Sequence, residues 1–397
     1  MSPDSSAEFP IPKALTQETF NRLADGLLAS TPLPLQLDLD LGGLPAAIST
    51  NNATLLAKLA DYLHPFMRDD DRTPLLHLAA VESVPVRLGL KYTPRRPDPG
   101  KEVKEEWVRF LYSRIVHKTR TDMTFFVSAK YNIAAGPCLD NWDQIVNFLN
   151  FRFLNAKIGL GGVLCHASAV AVDQAGLMLA GLAGRGKSSL ALTMMHDDDV
   201  DFISNDRAVI TTADDGPYLF GSTKLPRVNP GTILHNEHLH RLLTPEEFIR
   251  FKAVPENELW TLEQKYDASI ESCFGHGRQR LAANLSAVGI LTWDRIDAPA
   301  KIVPVNLEEK PHLLQAFIKQ PGIFIEQDGQ NLPDTDFFTP EDYLEVLQNT
   351  PVYEITGGID FVSAAKELRD DLVLKAKTLR EKQPQPEPAT DRIDEDV

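Results

Sequence analysis

Eight consecutive residues, Gly181-Leu182-Ala183-Gly184-Arg185-Gly186-Lys187-Ser188, fit the pattern G-x-x-x-x-G-K-[ST] at every fixed position. Each residue type has a use there. Gly181, Gly184 and Gly186 open backbone conformations closed to other residues, so successive amides can point inward at one anion. A helix starting behind them adds unpaired N–H donors and the positive end of its dipole. Lys187 reaches toward the terminal phosphates of a nucleoside triphosphate, and the Ser188 hydroxyl can ligate a Mg2+ ion that bridges them. ATP with Mg2+ is therefore the expected pair, bound by residues 181–188 and the adjoining Ser189. The motif does not specify what becomes of the phosphate.

An acid beside a strand, after such a helix, is where nucleoside triphosphatases hold the metal shell. Here Asp201-Phe202-Ile203-Ser204 leads into Asn205-Asp206-Arg207, and Asp206 is the candidate. Its plain alternative is a turn or capping aspartate. Further substrate or phosphate contacts are offered by the adjoining Asn205 and Arg207, by Lys224 and Arg227 in a loop stiffened by Pro226 and Pro230, and by Arg278 within Gly275-His276-Gly277-Arg278-Gln279-Arg280. Solvated surface charge explains those positions equally well. His235, His238 and His240 do not read as a metal set, because on a helix 235 and 238 share a face and 240 points away.

These residues need elements to hold them. Leu177-Met178-Leu179-Ala180 has the composition of a buried strand, and Leu190 to Met195 favours a helix. Gly162–Val172 is a second apolar run, expected to form a hairpin with the first through residues 173–176. Upstream, Ile145, Phe148, Leu149 and Phe153 recur at helical steps within 141–155. Residues 244–285 read as mostly helical, 288–293, 300–305 and 352–355 as strands, and 361 to about 382 as a final helix. Near the start, Leu33, Leu35, Leu37, Leu39 and Leu41 alternate with other residues, the mark of a half-buried strand. A helix follows, capped by Asn52 or Thr54. Residues 93–106, TPRRPDPGKEVKEE, read as an exposed linker, which divides an N-terminal α+β domain over 1–104 from a catalytic domain over 105–382. The acidic, proline-rich residues 383–397 are expected to be disordered.

Composition excludes several classes. A formal net charge of −16 over 397 residues argues against a nucleic-acid partner. No apolar run is long enough to cross a membrane, and the N-terminus lacks the basic start and apolar core of a secretion signal. Three scattered cysteines, Cys138, Cys165 and Cys273, read as reduced thiols of a cytoplasmic protein.

The run Cys165-His166-Ala167, a strand pair, GLAGRGKSS and then ISNDR resembles the catalytic domain of HPr kinase/phosphorylase, and within it the bacterial group called HprK-related kinase B. FLNFRFLN, LPRVNPGTIL and ITGGIDFVSAAKEL extend the resemblance over roughly residues 105–375. It implies an α/β P-loop core related to phosphoenolpyruvate carboxykinase, and transfer of the ATP γ-phosphate to a hydroxyl on a protein serine or a small molecule. It also implies that His166 supports a catalytic acid at Asp206, with Lys187 on the phosphates. Without it, His166 would read as a satisfied core histidine. Family members often assemble, so the resemblance implies a homo-oligomer. Three departures qualify it. Asn205 stands where the family has the first of two acids, Ser189 where it has glutamate, and the C-terminal signature tied to dephosphorylation is absent. A nucleotide sensor without catalysis is the competing expectation.

Overall fold

The computed structural model describes residues 15–95, 100, 102–213, 216–260, 262, 264–327, 330–331 and 337–382. The leucine alternation becomes the strand Leu35–Leu41, with Leu37, Leu39 and Leu41 turned into the core. It reverses through Gly42-Gly43 into the antiparallel strand Leu44–Thr50. That helix, Ala53–Leu63, is capped by Asn52, whose side chain accepts from the Leu55 amide at 3.0 Å. It returns the chain to Leu76–Glu82, parallel to Leu44–Thr50.

The sheet then grows through Asn132–Gly136, Met123–Val127, Arg114–Lys118 and Glu105–Arg109 to Thr93–Pro94, giving eight strands. This corrects the expected domain boundary. Thr93 pairs with Trp107 and Pro94 with Glu106, so both ends of the expected linker are paired strands of one sheet. The division at 104/105 falls inside one hydrogen-bonded layer. The expected tail, 383–397, lies outside the described residues.

The helix Trp142–Ile158 lies between this sheet and the next. Ile145, Phe148, Leu149, Phe153 and Leu154 are buried, and so are the polar Asn150 and Arg152. Phe125 of the first sheet, Phe148 of the helix and Phe324 of a later loop form a triangle of rings with centroids 4.9–5.0 Å apart. Each edge is worth about 0.5–1.5 kcal/mol beyond the area it buries. A single apolar cluster runs from Leu37 through the helix to Ile290.

The second sheet has nine strands. Its centre is Ala175–Gly181, buried along its whole length, as expected of a strand covered on both faces. Ala175–Gly181 pairs antiparallel with Ala167–Val172 and parallel with Ala282–Leu291. The latter strand begins well before residue 288, so the helical reading of 244–285 is corrected at its end. In between lie the helices Pro245–Lys252, Glu256–Leu259 and Ile270–Phe274. The final helix, Phe361–Lys382, packs Ala364, Ala365, Leu368 and Leu372 into a core shared with Lys187–Met194.

Candidate active site

Gly181 ends the central strand and Lys187 begins a helix, with the phosphate-binding pattern as the turn between them. Gly186 has φ +86°, and a Cβ there would lie 2.8 Å from the Phe361 ring, so this position has neither the conformation nor the room for a side chain. The turn is tied to its neighbours. Trp293 Nε1 donates to the Arg185 carbonyl at 2.9 Å, while the Arg185 guanidinium reaches the Trp293 carbonyl and Asp294. Lys187 Nζ donates to the Gly181 carbonyl at 2.6 Å and approaches that of Leu182 at 3.4 Å. Burial lowers the pKa of this lysine, and the charge of Asp206 opposes that effect.

Asp206 follows the strand Val200–Ser204 on a turn where its φ is +70°, a conformation that aspartate and asparagine tolerate better than most residues. Its Oδ1 lies 3.4 Å from His166 Nε2 and its Oδ2 3.3 Å from the Arg207 guanidinium. Burial works to raise the carboxyl pKa. The His166 hydrogen bond and the charges of Arg207 and Lys319 overcome it and hold the group well below the usual carboxylate range. His166 is fixed by its own amide, which donates to the Phe317 carbonyl at 2.8 Å. Asn205 Oδ1 accepts from the Ser188 hydroxyl and, at 3.0 Å, from Ser168.

Residues 183–189 and the pair Asp206–His166 line one cavity of about 1300 Å3. Seven of its lining side chains are lysine or arginine and two are carboxylates, in a chain of net charge −16. A cleft of that sign concentrates polyanions. Lys224 is one of the seven; burial and then the neighbouring Arg207 lower its pKa, and it donates to Asn147 at 3.2 Å. Away from the acids the wall turns apolar and aromatic, with Ile296, Ile359, Phe361 and Trp260. Trp260 stacks on His235 at 5.1 Å and 27°, with Arg295 over its other neighbourhood at 5.2 Å.

The structure thus gathers Ala183 to Ser189, His166, Asn205, Asp206, Arg207 and Arg227 around one space. Gly181 and Leu182 contribute carbonyls to Lys187 from behind it. Arg227 is exposed and pairs with Asp267 at 3.3 Å. Arg278 is elsewhere, which corrects its expected phosphate role. Its guanidinium donates to the carbonyls of Phe274, Met195, Asp197 and Val200, closing the chain after the Lys187–Met194 helix. Asp201 is likewise outside, paired with Arg280. Sequence reasoning missed Trp260, Arg295, Phe361 and Lys319. No local pattern marks them, because the fold brings each in from a distant segment.

A Mg2+ ion fits the donors present. They are hard oxygens, the Ser188 hydroxyl and the Asp206 carboxylate, and Mg2+ is commonly held by one or two carboxylates together with substrate phosphates. Because Ser188 gives its proton to Asn205, the hydroxyl lone pairs stay available to a cation. Among the described residues no three His, Cys, Asp or Glu side chains are placed to hold a metal by themselves, so the nucleotide would complete the shell. Among the same residues no helix is long and apolar enough to cross a membrane.

Neither a protein-family model nor a curated protein matches the chain. Among solved structures, the HPr(Ser) kinase/phosphatase from Coxiella burnetii matches with 11% identity and a TM-score of 0.25. The match covers 55% of this chain and 94% of that one.

Proposed function

We propose that the chain is an ATP- and Mg2+-dependent kinase that transfers the γ-phosphate to a hydroxyl, on a protein serine or a small molecule. One observation carries this reading: residues 183–189 and the Asp206–His166 pair line the same cationic cavity. The amides of the turn and Lys187 stabilise charge on the β- and γ-phosphates. Mg2+, when held by Ser188 and Asp206, would neutralise charge on the phosphate oxygens.

In the transfer, a bond forms from the acceptor oxygen to Pγ as the bond from Pγ to the β–γ bridging oxygen breaks, and ADP leaves with that electron pair. Asp206 orients the acceptor hydroxyl and takes its proton, and His166 keeps the carboxylate charged and aimed. Incubation of the purified protein with γ-labelled ATP, Mg2+ and fractionated protein and metabolite pools tests this. A labelled acceptor with an acid-stable phosphate ester, lost in Lys187→Ala, is the expected outcome. Tight ATP binding with no label transferred to any pool would favour the sensor, a reading motivated by Asn205 standing where the resembled family has an acid.

A further inference from the structure

A second cavity, of about 390 Å3, adjoins the first on the side of Asp206. Asn147, Phe151 and Arg207 line both. Its remaining charged lining comes from two separate parts of the chain. The first sheet supplies Arg95, Glu105 and Lys118, and the segment after Phe317 supplies Lys319. Glu105 is held between Arg95, at 2.5 Å, and Lys118. Arg207 is shared with Asp206 and lies over the Phe151 ring at 4.7 Å. Lys319 has no carboxylate within ion-pair distance among the described residues, and its charge is felt by both Asp206 and Lys187. The described lining thus carries four cationic side chains and one carboxylate.

The wall that carries Lys319 is built to stay in place. Buried Arg114 donates to the carbonyls of Ile323 and Ile325 at 2.8 and 3.1 Å, and buried Arg152 to that of Phe324 at 2.8 Å. Such fixed donors and charges are what a preorganised anion site requires.

We infer that this side cavity binds the phosphate monoester of a small phosphorylated acceptor, holding its hydroxyl toward Asp206. The inference rests on the kinase reading and narrows it. A dianion matches the charge excess better than a single carboxylate, and the volume admits a ligand of a few carbons rather than a folded protein segment. It also gives the first sheet a task, the supply of Arg95 and Lys118 to the acceptor side.

Filling the first cavity with the non-hydrolysable imido analogue of ATP and Mg2+, then titrating inorganic phosphate by calorimetry, isolates the second. One phosphate should bind the loaded protein. Its affinity should fall roughly tenfold or more in Lys319→Gln and largely recover in Lys319→Arg, a loss beyond any change in analogue affinity measured on the same variants. No saturable phosphate on the loaded protein, or none of it dependent on Lys319, overturns the inference. Acetate binding as tightly as phosphate overturns the assigned ligand class. Failure of the analogue to bind sinks the kinase reading instead, and Lys319-dependent phosphate binding to the free protein then still decides the side cavity.

Discussion

His166 Nε2 stands 3.4 Å from Asp206 Oδ1, and this pair lines the same cavity as residues 183–189. A carboxylate so supported is a good ligand for a cation and a weak base at rest. In a loose phosphoryl-transfer transition state the acceptor hydroxyl loses its proton late, when it has become acidic, so a weak base placed well is sufficient.

Asp206→Asn keeps the shape and the tolerance of a positive φ, so the turn should hold. Nucleotide affinity should stay within a few fold while turnover falls by about 10²- to 10⁴-fold. Equilibrium binding and a labelled-transfer assay separate the two. Near-normal turnover in this variant would remove Asp206 from the mechanism.

His166→Ala should move the acid side of the activity profile. Burial raises the Asp206 pKa, and the His166 hydrogen bond heads the effects that lower it, so its removal lets the carboxyl rise. Activity that needs the carboxylate is then lost at a higher pH than in the parent. For stability, a depressed folded pKa contributes fully above the unfolded value of about 3.9 and is lost as pH falls through the folded one. The variant should surrender part of that acid-side contribution. A pH–kcat series beside acid denaturation curves checks both, and an unmoved acid limb contradicts the pairing.

Gly186→Ala meets two obstacles, a φ of +86° and the Phe361 ring 2.8 Å from the added carbon. A strain of about 1–3 kcal/mol is expected at the nucleotide site, or on the order of tenfold to hundredfold in affinity. Adding Phe361→Leu should relieve the steric part and leave the backbone part. Nucleotide titration of the single and double variants measures the difference.

Arg152 and Glu326 are each 4% exposed and pair at 2.7 Å, with Arg152 also donating to Asn132 and to the carbonyls of Ser128 and Phe324. Arg152→Ala leaves a buried carboxylate alone and should cost about 3–5 kcal/mol. Arg152→Met with Glu326→Leu should regain much of that. Denaturant unfolding of the three proteins decides, and an additive double variant would show that the pair does not act as one.

The strand, turn and helix around Gly181–Lys187 were legible because their signal is local: glycines between an apolar run and a helix-forming one suffice to write it. The strand Leu35–Leu41 and the Asn52 cap were legible for the same reason. Hairpins were harder. Leu44–Thr50 is buried on both faces, so it shows no alternation, and Asn132–Gly136 is short and small-residued. Residues 93–106 read as a linker because their proline and charge say nothing of the pairing of Thr93 with Trp107 and of Pro94 with Glu106. Lys319 and Trp260 had no signature at all. Their place depends on which loops meet, and that is settled by packing over the whole chain.

The helix Trp142–Ile158 buries apolar side chains in a core shared by both sheets. A protease that cut between Pro94 and Glu105 would produce two fragments, neither able to diffuse away without stripping aromatic rings bare. For the same reason, recombination that grafted only the second sheet onto another protein would deliver an axle without one of its wheels, so the two sheets should travel through evolution as a single inherited block.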